Sequence, residues 1–238
     1  SQTFMPSGHG LPVEGGDEIV TEIINMMHRW PKYNGHRLID VIYEIHPRGS
    51  VHQHRSYKLP KSKVMITFAE YDKMTMHQRR SIIANHALFT AEQLWEHLLR
   101  VKVQMLWPDH GDPENPTETM PHPEILRLAK QWNLKMFPKG MSVTCDSYSA
   151  FFDDEGNPTG YHHLVNDRKI KRIILCGIAF DYCAGLSCVG GIDRGLSEVY
   201  ILWDLTRSVD PMTEAAMVKR LLDKGVHIIH SSCLKFPS

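Results

Sequence analysis

The sequence predicts an α/β fold: a three-layer, doubly wound, mostly parallel sheet. Apolar, β-branched runs recur at residues 38–45, 134–137, 170–175, 199–202 and 226–229. Segments with the apolar spacing of amphipathic helices separate them. The runs are continuous rather than alternating, which suits strands covered on both faces.

Each element has a local reason. Residues 1–16 are rich in Gly and Pro and read as a loop. Asp17 stands at an N-cap position before a helix with Ile19, Val20, Ile23, Ile24 and Met27 on one face. Residues 31–35, bounded by Pro31 and Gly35, end it. The strand over 38–45 leaves Glu44, His46 and Pro47 at its C-terminal end, where open α/β sheets build their sites. A helix is expected over 90–101, with Thr90 as cap and Leu94, Leu98 and Val101 on one face. Trp107-Pro108-Asp109-His110 and a proline-rich loop lead to a helix over 124–132. A short strand over 134–137 runs to Lys139-Gly140. After a turn at 153–160 come a helix over 162–167 and the strand 170–175. A sharp turn then opens a helix with Cys183 in its first turn. The strand 199–202 ends at Asp204, and a helix over 214–224, stopped by Gly225, precedes the strand 226–229. Neither repeats nor a domain boundary interrupt the pattern, so 1–238 reads as one domain.

Composition narrows the function. The 238 residues carry 27 basic and 27 acidic side chains, a balance that argues against nucleic-acid binding. No apolar run reaches the roughly 18 residues of a membrane span. The five cysteines form no zinc-finger spacing, and an odd count without a framework points to the cytoplasm or another reducing intracellular compartment. No signal peptide is evident, and a chain that starts at Ser1 rather than Met is expected to have native residues upstream.

Candidate chemistry lies at strand ends. A cysteine at a helix start feels free N–H groups and the macrodipole, which favour the nucleophilic thiolate. The simpler reading of Cys183 alone is a buried structural thiol. Glu44 and His46, two apart on a strand end, face the same way. With His52, His54 and His110 in following loops they suit Zn²⁺, Fe²⁺ or Mn²⁺, although any single histidine among 15 reads equally as a surface residue. Lys139 alone is a solvated lysine; beside a thiolate it would lower the thiol pKa.

In order along the chain, Trp107-Pro-Asp-His110, Lys139-Gly140, Asp146-Ser-Tyr-Ser-Ala-Phe151 and Gly177-Ile-Ala-Phe-Asp-Tyr-Cys183 resemble the nicotinamidase (pyrazinamidase) branch of the isochorismatase-like hydrolases. The opening loop and helix and the tail after Asp204 fit as well, leaving residues 58–102 as an atypical insertion. The resemblance implies a cysteine amidase that converts nicotinamide to nicotinate and ammonia, in NAD salvage. Cys183 matches the nucleophile and Lys139 the triad lysine. The backbone of Ala179 and Cys183 matches an oxyanion hole, and the Ile178–Ala179 peptide one that is cis in the family. Glu44, His46 and His110 match ligands of a divalent metal, zinc with iron or manganese as alternatives. His54 matches a fourth histidine, with His52 an alternative for that place. Phe4, Trp107 and Tyr148 match aromatic walls around the substrate ring.

Departures are also expected to matter. The triad aspartate and the first strand should precede Ser1, so the sheet is expected to lack that strand within this sequence. Glu44 stands where Asp is usual, and Gly111 where Cys is common. These departures support a rival reading, a catalytically degenerate isochorismatase-like subunit of a larger complex. A second rival is an amidase of the same family acting on another small amide. The expected partner is a small-molecule amide, with self-association or a larger assembly through the insertion.

Overall fold

The structure is a computed structural model that describes residues 11–47, 50, 110–142 and 145–236. The helix expected over 90–101 and the insertion at 58–102 lie outside the described residues. Helix α1 (Glu18–Arg29) buries Ile19, Val20, Ile23, Met26 and Met27, the face set by its apolar spacing. Asp17 takes the N-cap position but makes no side-chain cap bond, so the helix start rests instead on the turn made by Glu18 N–H to the Gly15 carbonyl, 3.2 Å. A hairpin of β1 (Lys32–Tyr33) and β2 (His36–Arg37) follows. Its turn, Asn34-Gly35, has φ of 49° and 81°, the left-handed pair that Asn-Gly supplies at little steric cost. The sequence reading took these residues only as a helix stop.

Strand β3 (Asp40–Glu44) pairs in parallel with β4 (Lys135–Lys139), in a register that sets Glu44 beside Lys139. Between them lie α2 (Pro116–Thr119) and α3 (Pro123–Gln131). A second parallel sheet contains β5 (Arg172–Ile178), β6 (Glu198–Arg207) and β7 (His227–Ile229), in that order. Helices α4 (Gly160–Asp167), α5 (Gly185–Asp193) and α6 (Pro211–Asp223) are accompanied by a π-helical turn at Phe180–Ala184 and a 3-10 turn at Ser231–Cys233. β6 is longer than expected, and β5 extends through Gly177 with a register shift after Leu175.

Two apolar clusters give the three layers. Val199, Ile201, Leu221, Val189 and Phe180 pack beneath α4, α5 and α6. Ile19, Met27, Leu128, Leu202 and Leu205 pack on the α1 and α3 side. Helix α5 carries glycines where it meets its neighbours closely: an added Cβ would collide with Met217 of α6 at Gly185 and with Ser149 and Phe152 at Gly190. One expectation is corrected. β5 is apolar yet only half-buried along Ile173–Ile178, whereas Ile201 and Leu202 of β6 are fully buried. The reason is topological: among the described residues β5 pairs only with β6, and β3 only with β4. Among the described residues no helix is long and apolar enough to cross a membrane.

Candidate active site

The C-terminal ends of β3, β4 and β5 converge, as parallel strands in one direction require. Glu44 is the last residue of β3 and Lys139 the last of β4. Cys183 follows β5 in a π-helical turn, Phe180–Ala184, rather than in the first turn of an α-helix; α5 begins at Gly185. Backbone bonds tie the loops together: Ile45 N–H donates to the Lys139 carbonyl at 3.0 Å and His46 N–H to the Gly111 carbonyl at 2.9 Å.

The side chains meet in a buried cluster. Lys139 Nζ donates to Glu44 Oε1 and, at 2.9 Å, to the Ser147 carbonyl. Cys183 Sγ lies 3.9 Å from the same Glu44 oxygen. His46 Nε2 is 3.5 Å from Glu44 Oε1, and His110 Nε2 is 3.8 Å from Glu44 Oε2. The two imidazoles cross edge to face, 4.7 Å between centroids. Gly111 and Gly140, both at positive φ, close on the His46 ring. Glu44, His46 and His110 are all buried, and their ligand atoms lie within 4.8 Å of one another. Two imidazole nitrogens and one carboxylate are a donor set suited to zinc, iron or manganese.

The electrostatics follow from burial and neighbours. Burial works to raise the Glu44 carboxyl, but the Lys139 ammonium, then His46 and His110, outweigh it and hold it well below the usual range. Burial works to lower the Lys139 ammonium; Cys183, Glu44 and Asp146 outweigh that and raise it. Cys183 goes the other way from the expected thiolate. Burial pushes its thiol up to about 12, Lys139 opposes this, and Glu44 and Asp146 add to it. Cys183 therefore rests as a protonated thiol.

Five expected site residues come together: Glu44, His46, His110, Lys139 and Cys183. Ala179 is buried directly before the π-helical turn, its carbonyl accepts from Ala184 N–H at 2.9 Å, and the Ile178–Ala179 peptide is cis. Tyr148 sits beside Tyr182, ring centroids 5.7 Å apart, with Leu11 and Val13. Phe4, Trp107, His52 and His54 lie outside the described residues. Two contributors, Ser147 and Asp146, stand in the motif Asp146–Phe151 but were given no site role from sequence. Ser147 acts through its main-chain carbonyl, which no side-chain identity reveals. Asp146 is buried with Oδ1 3.9 Å from His46 Nδ1; its place directly before Ser147 was the available signal.

Known proteins resemble this chain in sequence and in fold. Residues 100–233, more than half of the chain, match the Isochorismatase domain. The chain belongs to the isochorismatase family. Among its isochorismatase-family relatives, the Escherichia coli K12 nicotinamidase is 30% identical over 132 residues, which are 53% of this chain and 60% of that protein. The chain thus spans less than two thirds of the length of the curated relatives it matches. A yeast nicotinamidase bound to the inhibitor nicotinaldehyde superposes with a TM-score of 0.72 at 18% identity, over 97% of this chain and 95% of that one. A Pyrococcus horikoshii pyrazinamidase in complex with zinc gives 0.61 at 20% identity, over 96% and 93%. These structures show the same fold.

Proposed function

We propose that this chain is a metal-assisted amidase that hydrolyses nicotinamide to nicotinate and ammonia. One observation carries the reading: Cys183, Lys139 and the Glu44/His46/His110 group converge from three parallel strands into one buried cluster. A buried structural cysteine needs neither a lysine nor a metal-type donor set beside it. The relatives of known activity are nicotinamidases.

The chain's residues divide the chemistry. Cys183 gives its proton to a carboxylate base, the role that the resemblance assigns to the triad aspartate, and its sulfur bonds to the carboxamide carbon. Main-chain N–H groups around Ala179 and Cys183 hold the resulting oxyanion. The C–N bond breaks, ammonia leaves with the transferred proton, and a thioester on Cys183 remains. Water adds to the thioester carbon; the C–S bond breaks, nicotinate leaves and the thiol is restored. Lys139 holds positive charge beside the sulfur and is itself fixed by Glu44 and the Ser147 carbonyl. Tyr148 lines the substrate ring. A divalent metal held by Glu44, His46 and His110, zinc as in the Pyrococcus horikoshii protein, would supply Lewis acidity beside the ring nitrogen or its waters.

The test is ammonia release from nicotinamide by the zinc-loaded, full-length gene product. Cys183→Ala should abolish it with the fold intact, and His46→Ala should lower bound metal by elemental analysis. A chain that releases no ammonia is a degenerate family member; turnover indifferent to a chelator removes the metal from the mechanism.

A further inference from the structure

The His46 ring lies between two buried carboxylates. Its Nε2 edge faces the metal-type group: Glu44 Oε1 is 3.5 Å from Nε2, and the His110 ring meets it edge to face. Its Nδ1 edge faces the loop that follows β4. A Cβ on Gly140 would stand 2.9 Å from Nδ1, and Asp146 Oδ1 is 3.9 Å from the same nitrogen. The ring has little freedom to turn, because Gly111 closes on Cδ2 and Gly140 on Cε1. His46 and Asp146 are both buried.

Asp146 is held by its own loop. Its Oδ1 accepts from Ser147 N–H at 2.6 Å, and its carbonyl accepts from Asp154 N–H at 2.9 Å. Ser147 is tied in turn: its carbonyl accepts from Lys139 Nζ at 2.9 Å and its hydroxyl donates to the Ser149 carbonyl at 2.8 Å. The carboxylate is therefore a fixed charge. The Ser147 amide does not account for that charge, since a neutral side-chain oxygen would accept the same bond. The Lys139 ammonium and Asp146 act on each other, but the ammonium is bonded to Glu44. A buried carboxylate is costly unless donors or positive charge face it.

A neutral imidazole carries one N–H. A ring that ligates through Nε2 must carry it on Nδ1, and the group facing Nδ1 then sets how readily that tautomer forms. At 3.9 Å the contact is longer than a hydrogen bond, so the coupling is that of a charge beside a dipole.

We propose that Asp146 is a positioning residue for the metal: its charge selects the His46 tautomer protonated on Nδ1 and leaves the Nε2 lone pair turned toward Glu44 and His110. This role rests on the metal-assisted reading above. Glu44 cannot fill it, because Glu44 stands at the other edge of the ring.

The experiment uses the full-length gene product, stripped of metal, with zinc titrated against a chromogenic chelator. Asp146→Asn keeps an oxygen for Ser147 N–H and removes the charge. Its zinc affinity should fall about 10–100-fold, while the denaturation midpoint of the metal-free protein changes little. Asp146→Glu, which restores the charge, should recover part of the loss. In the zinc-loaded wild type, long-range proton–nitrogen NMR spectra should find the His46 proton on Nδ1. An Asp146→Asn variant that binds zinc as tightly as the wild type would overturn the proposal. So would a His46 proton on Nε2, a result that stands on wild-type protein alone if the variant does not fold. A fall in affinity matched by a fall in metal-free stability would make Asp146 a scaffold residue and also overturn it. A wild type that binds no zinc removes the metal reading and this role with it, whereas undiminished zinc binding by Asp146→Asn removes this role only.

Discussion

Gly140 lies against the face of the His46 imidazole: a Cβ at this position would stand 2.7 Å from Cε1 and 2.9 Å from Nδ1. The glycine has φ +71°, so a side chain is disfavoured twice, by backbone conformation and by the ring. Gly140→Ala should therefore displace His46. The left-handed backbone alone costs about 1–2 kcal/mol. Zinc content by elemental analysis should fall together with the denaturation midpoint. A variant that keeps full metal and full stability would show that the ring has room to move.

Lys139→Met should destabilise the fold by about 3–5 kcal/mol, because Glu44 is left as a buried charge without its cation. The pH dependence should also reverse. In the wild type the Glu44 carboxyl is held low, so its contribution is full above the unfolded value of about 4.3 and is lost as pH falls below it. Without Lys139, burial dominates and raises that carboxyl, so the variant should lose stability as pH rises through the same region. Denaturant midpoints measured between pH 3 and 8 decide this; parallel curves for the two proteins would refute the pairing.

Cys183 should be a slow thiol at neutral pH. A shift from 9.0 to about 12 lowers the thiolate fraction about a thousandfold. Cys145 and Cys176 are pushed up similarly by burial, whereas Cys233 is exposed. Peptide mapping after iodoacetamide treatment at pH 7.5 should find Cys233 labelled first, with Cys183 labelling still accelerating above pH 10. Equal rates for the two would show that burial does not hold the Cys183 thiol up.

Asp181 sits two residues from the nucleophile yet serves the scaffold. Its carboxylate accepts from Val209 N–H at 3.0 Å, Asp210 N–H at 3.1 Å and Thr213 Oγ1 at 2.6 Å, bracing the start of α6. Asp181→Ala should cost about 3 kcal/mol by stranding these donors. Metal content should not change; a loss of metal equal to that of His46→Ala would move Asp181 into the metal site.

Much of this was legible in the sequence. The apolar runs placed β3 to β7 within a few residues, because parallel strands under helical layers must be continuously apolar. The residues at their ends named Glu44, His46, Lys139 and Cys183, because side chains there leave the sheet. Three features escaped. The π-helical turn at Cys183 is a backbone choice made by packing. The Ser147 carbonyl is common to every residue type. The raised thiol of Cys183 follows from burial among Glu44 and Asp146, and summed burial is a property of the assembled core rather than of any motif.

The bare glycines of α5 carry a last consequence. Gly185 and Gly190 let the helix behind Cys183 seat at van der Waals range against Met217, Ser149 and Phe152, with no flexible padding to absorb a change. The Cys183 sulfur is thus held from behind, by a keyed helix that stands outside the Glu44/His46/His110 group. A mutational screen scored only on turnover would flag these silent supports as strongly as Cys183, and only a parallel reading of folded yield would tell the two apart.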